Sequence, residues 1–432
     1  MKGVLSMWKG LWMERNFGMI WSGQFVSQLG DKFYGIALAW WVLERTHSPL
    51  IMGLLMTAAI LPQLLLGPIA GGFIDRWDRK RILIGADLLR SGLVLAVTLL
   101  SLAGRLELWH IFGAAVLIAM ASAFYNPTVT AALPQIVAAR DLPRANSASQ
   151  VIAGITTTLG PAAGAAVISL AGFNAVFLFN SLSFLVSGVL ASFIDRPLRA
   201  VRERKAGFGA DLRAGLLFIL GHPRVLAILA VIGLAHLAVG SLTVTLPVLA
   251  RQLAGAGVHN LGWLEMMIGC GMLGGSIALN LKKVQRVGSP WLFGAAAVLG
   301  ACLLGLGILR GLGLASVLPY LGLMALAGAA VAVASVFWAS LLQRSVPNEL
   351  AGRVFSIAAV IGNTSMPLAY AVFGLLLSRL PIAPVMGGCG AGLMGLILAL
   401  GLRFGKMAEE LGAEAASDGK LQLDSRPETI RD

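Results

Sequence analysis

The chain has 432 residues, 57% hydrophobic and 12% charged, with a formal net charge of +13 and a mean hydropathy of +0.83. A soluble globular protein carries about 25% charged residues, so this composition leaves too little polar surface to face water and excludes an ordinary soluble fold. Nucleic acid binding is also excluded, because no basic patch is interleaved with aromatics on a soluble stretch.

A membrane-spanning helix needs roughly 20 apolar residues. The sequence divides into twelve such segments, at 17–43, 50–74, 82–103, 108–132, 146–171, 173–194, 225–250, 260–281, 288–309, 314–341, 353–378 and 383–403. The first is too long for a removable leader and lacks a small-residue cleavage site. It carries Gln24, Gln28 and Asp31 on one face, flanked by Ser27 and Tyr34. An Asp at that depth costs about 2.5–3.5 kcal/mol on insertion scales, so it must line water or find a partner. Lys32 is adjacent but points about 100° away on a helix. Asp31 is therefore a candidate for carrying a proton or holding a cationic substrate; a structural ion pair with Lys32 or Arg90 is the competing role.

Segments two and three are joined by Gly71-Gly72-Phe73-Ile74-Asp75-Arg76-Trp77-Asp78-Arg79-Lys80-Arg81, a short hairpin dense in charge. Asp75 lies at a helix end. In segment three, Asp87 and Arg90 are spaced to pair with each other or with the hairpin. Segment four carries Tyr125 and Asn126. Segment five carries Gly160, Pro161 and Gly164, where small residues permit close helix approach and the proline bends the helix. Segment six adds Asn180. Asp195 to Arg224 is the longest polar connection, and 207–220 within it reads as an amphipathic helix on the membrane face. It separates a bundle at 1–195 from another at 225–403, with 196–224 as the central loop.

In the second half, Glu265 is the only acid within a segment; it reads as a second proton site or as a snorkelling residue near an interface. His236, Thr243, Trp338, Asn363 and Thr364 are the remaining polar or aromatic candidates for a central cavity, beside Tyr125, Asn126 and Asn180; a packing role competes for each. Trp40, Trp41 and Trp109 near segment ends are interface anchors. Cys270, Cys302 and Cys389 are isolated within apolar segments and read as small buried hydrophobes, not as a disulfide framework or metal site. Residues 404–432 turn polar, predicting a short helix extension and then a disordered tail.

With the N-terminus inside, the inner loops and tails hold 26 Lys and Arg and the outer loops five. That bias places both termini in the cytoplasm and the chain in the cell membrane, beside anionic lipid. The halves are weak repeats of each other: Gln135 and Asp141 match Gln343 and Glu349, Gly53 matches Gly262, and Pro161 matches Pro367, at offsets of about 206–209. Two parallel six-helix repeats with a site between them is a transporter plan.

The hairpin resembles the hallmark of the major facilitator superfamily, a Gly, three residues, then Asp-Arg-x-Gly-Arg-Lys. Gly71, Asp75, Arg76, Arg79 and Lys80 match it, and Asp78 replaces the usual glycine. Ala86-Asp87-Leu88, Ser27 to Asp31 and Leu350 to Ser356 resemble the macrolide-efflux branch and its relatives, which include enterobactin-type siderophore exporters. Gly160-Pro161-x-x-Gly164 is similar to the antiporter motif of exporters, although Thr156 and Ala165 stand where glycines are usual. The resemblance implies an all-α membrane protein of twelve helices that exports a small amphipathic compound against protons by alternating access, with a single chain as the working unit and no cofactor. It also implies that Asp75 latches to Arg353 in the opposite half, or to Arg79; topology marking alone is the competing role for these charges. A lipid transporter or a nutrient importer fits the same fold, and a receptor that no longer transports is a reading from another class. No catalytic cluster supports an enzyme, and no phosphate-binding Gly-x-x-x-x-Gly-Lys-Ser/Thr supports ATP hydrolysis.

Overall fold

The computed structural model describes residues 15–74, 76–195, 198, 208–281 and 288–424. Asp75, the proposed latch carboxylate, lies outside them. The described residues form helices and no strands. In chain order the α-helices are α1 (Arg15–Thr46), α2 (Pro49–Ala58), α3 (Leu61–Ile74), α4 (Arg79–Leu102), α5 (Leu108–Ile136), α6 (Leu142–Ser192), α7 (Phe208–Gly221), α8 (Pro223–Gln252), α9 (Gly257–Leu281), α10 (Ser289–Gly311), α11 (Leu318–Ser345), α12 (Asn348–Arg379) and α13 (Ile382–Asp424).

Ten helical stretches are long and apolar enough to cross a membrane. That reckoning leaves out α1, which Asp31 and Lys32 interrupt, and takes α6 as one. Yet α6 reverses at Gly172, whose φ of 77° and ψ of 177° suit only glycine, so it crosses twice. With α2 and α3 sharing one crossing, the twelve expected crossings are present, and the chain is a multi-pass membrane protein. Large apolar side chains such as Leu65, Leu170, Leu318 and Leu398 are left exposed, as a hydrocarbon surrounding requires.

Sequence expectation and structure differ in detail. The second segment breaks at Ala59–Ile60, because Pro62 has no N–H and its ring clashes with the carbonyl four residues earlier. Cys270 is exposed, whereas Cys302 is buried. Helix α13 continues to Asp424, through most of the stretch whose composition predicts disorder. Asp78, the departure from the hairpin motif, is the N-cap of α4: its Oδ1 accepts from the Lys80 and Arg81 backbone N–H groups at 2.8 and 3.3 Å.

Helices α1–α6 pack as one bundle and α8–α13 as another. The bundles meet through α6 with α9 and through α2 with α12. Glycines set both crossings. A Cβ on Gly262 of α9 would stand 2.6 Å from the Ala165 Cβ and 3.1 Å from the Pro161 carbonyl oxygen of α6. A Cβ on Gly374 of α12 would stand 3.0 Å from the Pro49 oxygen of α2. Gly262 and Gly374 lie toward the end of the molecule opposite the 75–78 hairpin, hereafter the far end, and the α6–α9 contact continues inward from there, a Cβ on Gly269 standing 2.5 Å from the Thr158 Cα. At the far end Arg251 of α8 also donates to the Leu43 carbonyl at the end of α1 (3.2 Å) and contacts the His47 ring Nδ1 (2.9 Å). Gly262→Val should therefore force the far end apart. Spin-label distances across α6 and α9 should lengthen there, and unchanged distances would reject this account of the crossing.

Candidate functional site

Helix α1 is wedged into the α6 hairpin. A Cβ on Gly23 would lie 3.1 Å from the Ser187 Oγ, and one on Gly164 would lie 3.0 Å from the Phe33 Cα. Gly160 makes room for Lys32, since a Cβ there would come within 2.7 Å of the Lys32 Cβ. The motif residues Gly160, Pro161 and Gly164 thus build a three-helix junction, with α1 on one side of α6 and Gly262 of α9 on the other. That junction fixes where Asp31 and Lys32 sit.

Asp31 and Lys32 are both exposed at this three-helix junction and face an open cleft. Its electrostatic neighbours are Arg90, Asp87 and Lys32, and the buried Asn180 side chain lies beside it; the Asn180 Nδ2 has no hydrogen-bond partner among the described residues. Across the bundle interface, half-buried Glu265 of α9 also feels Lys32. No cation stands within ion-pair distance of either carboxylate among the described residues. Two carboxylates from opposite bundles thus share the field of one ammonium without being locked to it.

Arg90 is committed elsewhere. Its guanidinium bonds Asp87, and both side chains are buried. It is held between the Tyr125 ring at 4.0 Å and the Phe184 ring at 4.4 Å. Tyr125 in turn reaches the Ser187 hydroxyl at 3.3 Å. Of the two pairings open in the sequence, Asp87 with Arg90 is the one formed.

The other candidates separate into groups. Tyr34, Tyr125 and Asn180 are buried inside the first bundle, Tyr34 edge-on to Phe177 at 5.5 Å. Gln24 and Gln28 are half-buried on α1, and Asn126 and Asn363 are exposed. His236 and Trp338 line one pocket of about 190 Å³ within the second bundle, with Ser335 and Met366. His236 is fixed by a 2.9 Å hydrogen bond between its Nδ1 and the Ile232 carbonyl, its ring lying against Gly362.

In the hairpin, Gly71 is half-buried and Arg76 exposed. Buried Arg79 donates from Nη1 to the Ala131 carbonyl at 3.0 Å, and its Nε has no partner among the described residues. Lys80 donates to the Ile194 carbonyl at 2.8 Å. These cations hold helix ends of their own bundle. In the other bundle, Arg353 is covered by α7: a Cβ on Gly215 would lie 3.3 Å from the Arg353 Cβ. Sequence names Lys32 only as an ion-pair partner for Asp31, not as a neighbour of Glu265, and Arg251 gives no signal beyond being one of few cations in the outer loops.

The family model described as Major Facilitator Superfamily matches residues 20–370. The uncharacterized MFS-type transporter YfiS of Bacillus subtilis (strain 168) is 28% identical over 394 residues, covering 88% of this chain and 91% of that protein. Macrolide efflux protein A of Streptococcus pyogenes is 24% identical over 366 residues, covering 84% and 88%. A bacterial homologue of the iron transporter ferroportin, solved in an inward-facing state, shares the fold with a TM-score of 0.71 at 17% identity, over 89% of this chain and 98% of that one.

Proposed function

Because the chain belongs to the Major Facilitator Superfamily, and is accordingly a transporter and not an enzyme, we propose that it exports a small amphipathic compound in exchange for protons. The observation that carries this reading is the placement of Asp31 and Glu265 on opposite bundles around Lys32. With the Asp87–Arg90 pair neutral overall, two carboxylates and one ammonium leave a single uncompensated negative charge. One proton neutralises it, and so does one cationic group on a substrate; the two then compete, which is the requirement for exchange. The similarity to macrolide efflux protein A supports the outward direction.

The basic hairpin end is the cytoplasmic side by its charge, and both termini lie there. Residues 1–195 rock against 225–403. In the conformation described above, the far-end crossings and Arg251 close the outer side. When the cleft opens outward, Asp75 and Arg79 meet Arg353 to close the inner side. The test is transport in proteoliposomes with an imposed pH gradient, against a panel of amphipathic amines, neutral hydrophobic drugs and siderophores. Proton-coupled flux of at least one compound is expected. Binding without any coupled flux would refute the exchange mechanism.

A further inference from the structure

A second cavity lies away from the cleft. It is a groove of about 660 Å³ on the first bundle at the hairpin end, within the range of about 300–1,000 Å³ typical of small-ligand sites. One wall is α4, with Gly85 and Leu89; the floor is α5, with Ala121 and Phe124; the mouth is Trp77 and Arg81. On α4, Gly85 and Leu89 share a face, and Gly85 stands about 200° around the helix from Asp87. Because Asp87 is wholly buried in the bundle core, the groove opens on the bundle's outer face. That face is continuous with the exposed apolar side chains Leu88, Leu95 and Leu99, which a membrane protein presents to acyl chains.

The mouth has the chemistry of a headgroup site. Trp77, 54% exposed, is held against Phe73 at 5.1 Å, and Phe73 contacts Phe124 at 6.1 Å. This aromatic wall sits where tryptophan favours the membrane–water boundary. Arg81 is exposed and has no ion-pair partner among the described residues. Asp78 also borders the mouth, but its Oδ1 is taken up by the two backbone N–H groups it caps. Over residues 75–81 four cations face two carboxylates, so the local charge favours an anion.

We propose that this groove is a binding site for one anionic phospholipid, with an acyl chain along Gly85, Leu89 and Ala121 and the headgroup phosphate on Arg81. The lipid is a resident ligand on the outer face, not cargo in the cleft, so the assignment does not depend on substrate or direction of transport. Its seat against Trp77 and Asp78 lets the surrounding leaflet brace the hairpin.

The test uses full-length protein purified from bilayers of phosphatidylcholine containing phosphatidylglycerol, with retained lipid counted by native mass spectrometry. Wild type should retain phosphatidylglycerol in preference to phosphatidylcholine. Arg81→Gln should lower that preference about five-fold, the effect of one surface cation near anionic lipid, while lipid is still bound. A Cβ at Gly85 meets open space, so Gly85→Leu should fill the groove without disturbing the helix and abolish retention of either lipid. Leu89→Ser, which removes apolar wall without adding bulk, should weaken retention of both lipids alike. Equal retention of the two lipids by wild type, or undiminished retention by Gly85→Leu, would overturn the assignment.

Discussion

Asp31→Asn should collapse pH-driven accumulation of substrate to an inside-to-outside ratio of one while leaving substrate binding measurable. The size of the loss depends on the charge of the cargo. For a neutral compound, one proton moving down 100 mV contributes about 2.3 kcal/mol and one pH unit about 1.4 more, enough for a gradient of several hundred-fold. For a cationic compound, one-for-one exchange moves no net charge. Accumulation is then about tenfold per pH unit and indifferent to an imposed potential. Measuring uptake into inverted vesicles with and without a potassium diffusion potential separates these cases in the wild type. Asn keeps the shape of Asp31 but cannot release a proton, so the variant should lose both drives and still bind. Full pumping by Asp31→Asn would clear Asp31 and leave Glu265 as the carboxylate to examine.

The second large effect is on stability. Asp87 and Arg90 are 0% and 3% exposed and bond each other, so removing either leaves a buried charge without its counterpart. Arg90→Met and Asp87→Leu should each destabilise the first bundle by about 3–5 kcal/mol, with the arginine variant also losing two cation–π contacts. The double variant should be markedly milder than either single one, because replacing a whole buried pair by apolar groups is often close to neutral. Thermal unfolding in detergent, compared across the four proteins, measures this coupling. Strictly additive losses would mean that the pair does not act as a unit. Arg90 also contributes to the field at Asp31, so the single arginine variant should disturb proton exchange even where enough folded protein survives to be assayed.

Segment lengths made the number of crossings legible, because they follow from the thickness of the bilayer. Finer features depended on neighbours remote in sequence. Gly262 is visible as the repeat partner of Gly53, but its crossing over Pro161 required knowing that α6 and α9 meet. Tyr34, Tyr125 and Asn180 carry the same residue-level signal as Gln28 or Asn126. Packing turns these three inward: Tyr34 and Asn180 where α1 meets α6, and Tyr125 of α5 against Arg90 and Ser187. Lys32 is legible as a neighbour of Asp31 on one helix, but not as a neighbour of Glu265, which comes from the other bundle. The break at Ala59–Ile60 was readable from Pro62, and the capping role of Asp78 from its place before Arg79-Lys80-Arg81; both are local effects. The position of Arg251 against the end of α1 has no counterpart in local pattern.

The reversal at Gly172 bears on how the protein is made. No charged side chain occurs between Arg144 and Asp195, and a single glycine turns the chain between the two crossings of α6. No charged loop separates them that could be left waiting in water as the chain emerges from the ribosome. The two crossings are therefore expected to enter the bilayer together, as a preformed pair. Their orientation is then expected to follow Arg140 and Arg144, the cations that precede the pair, because the pair itself holds no charge.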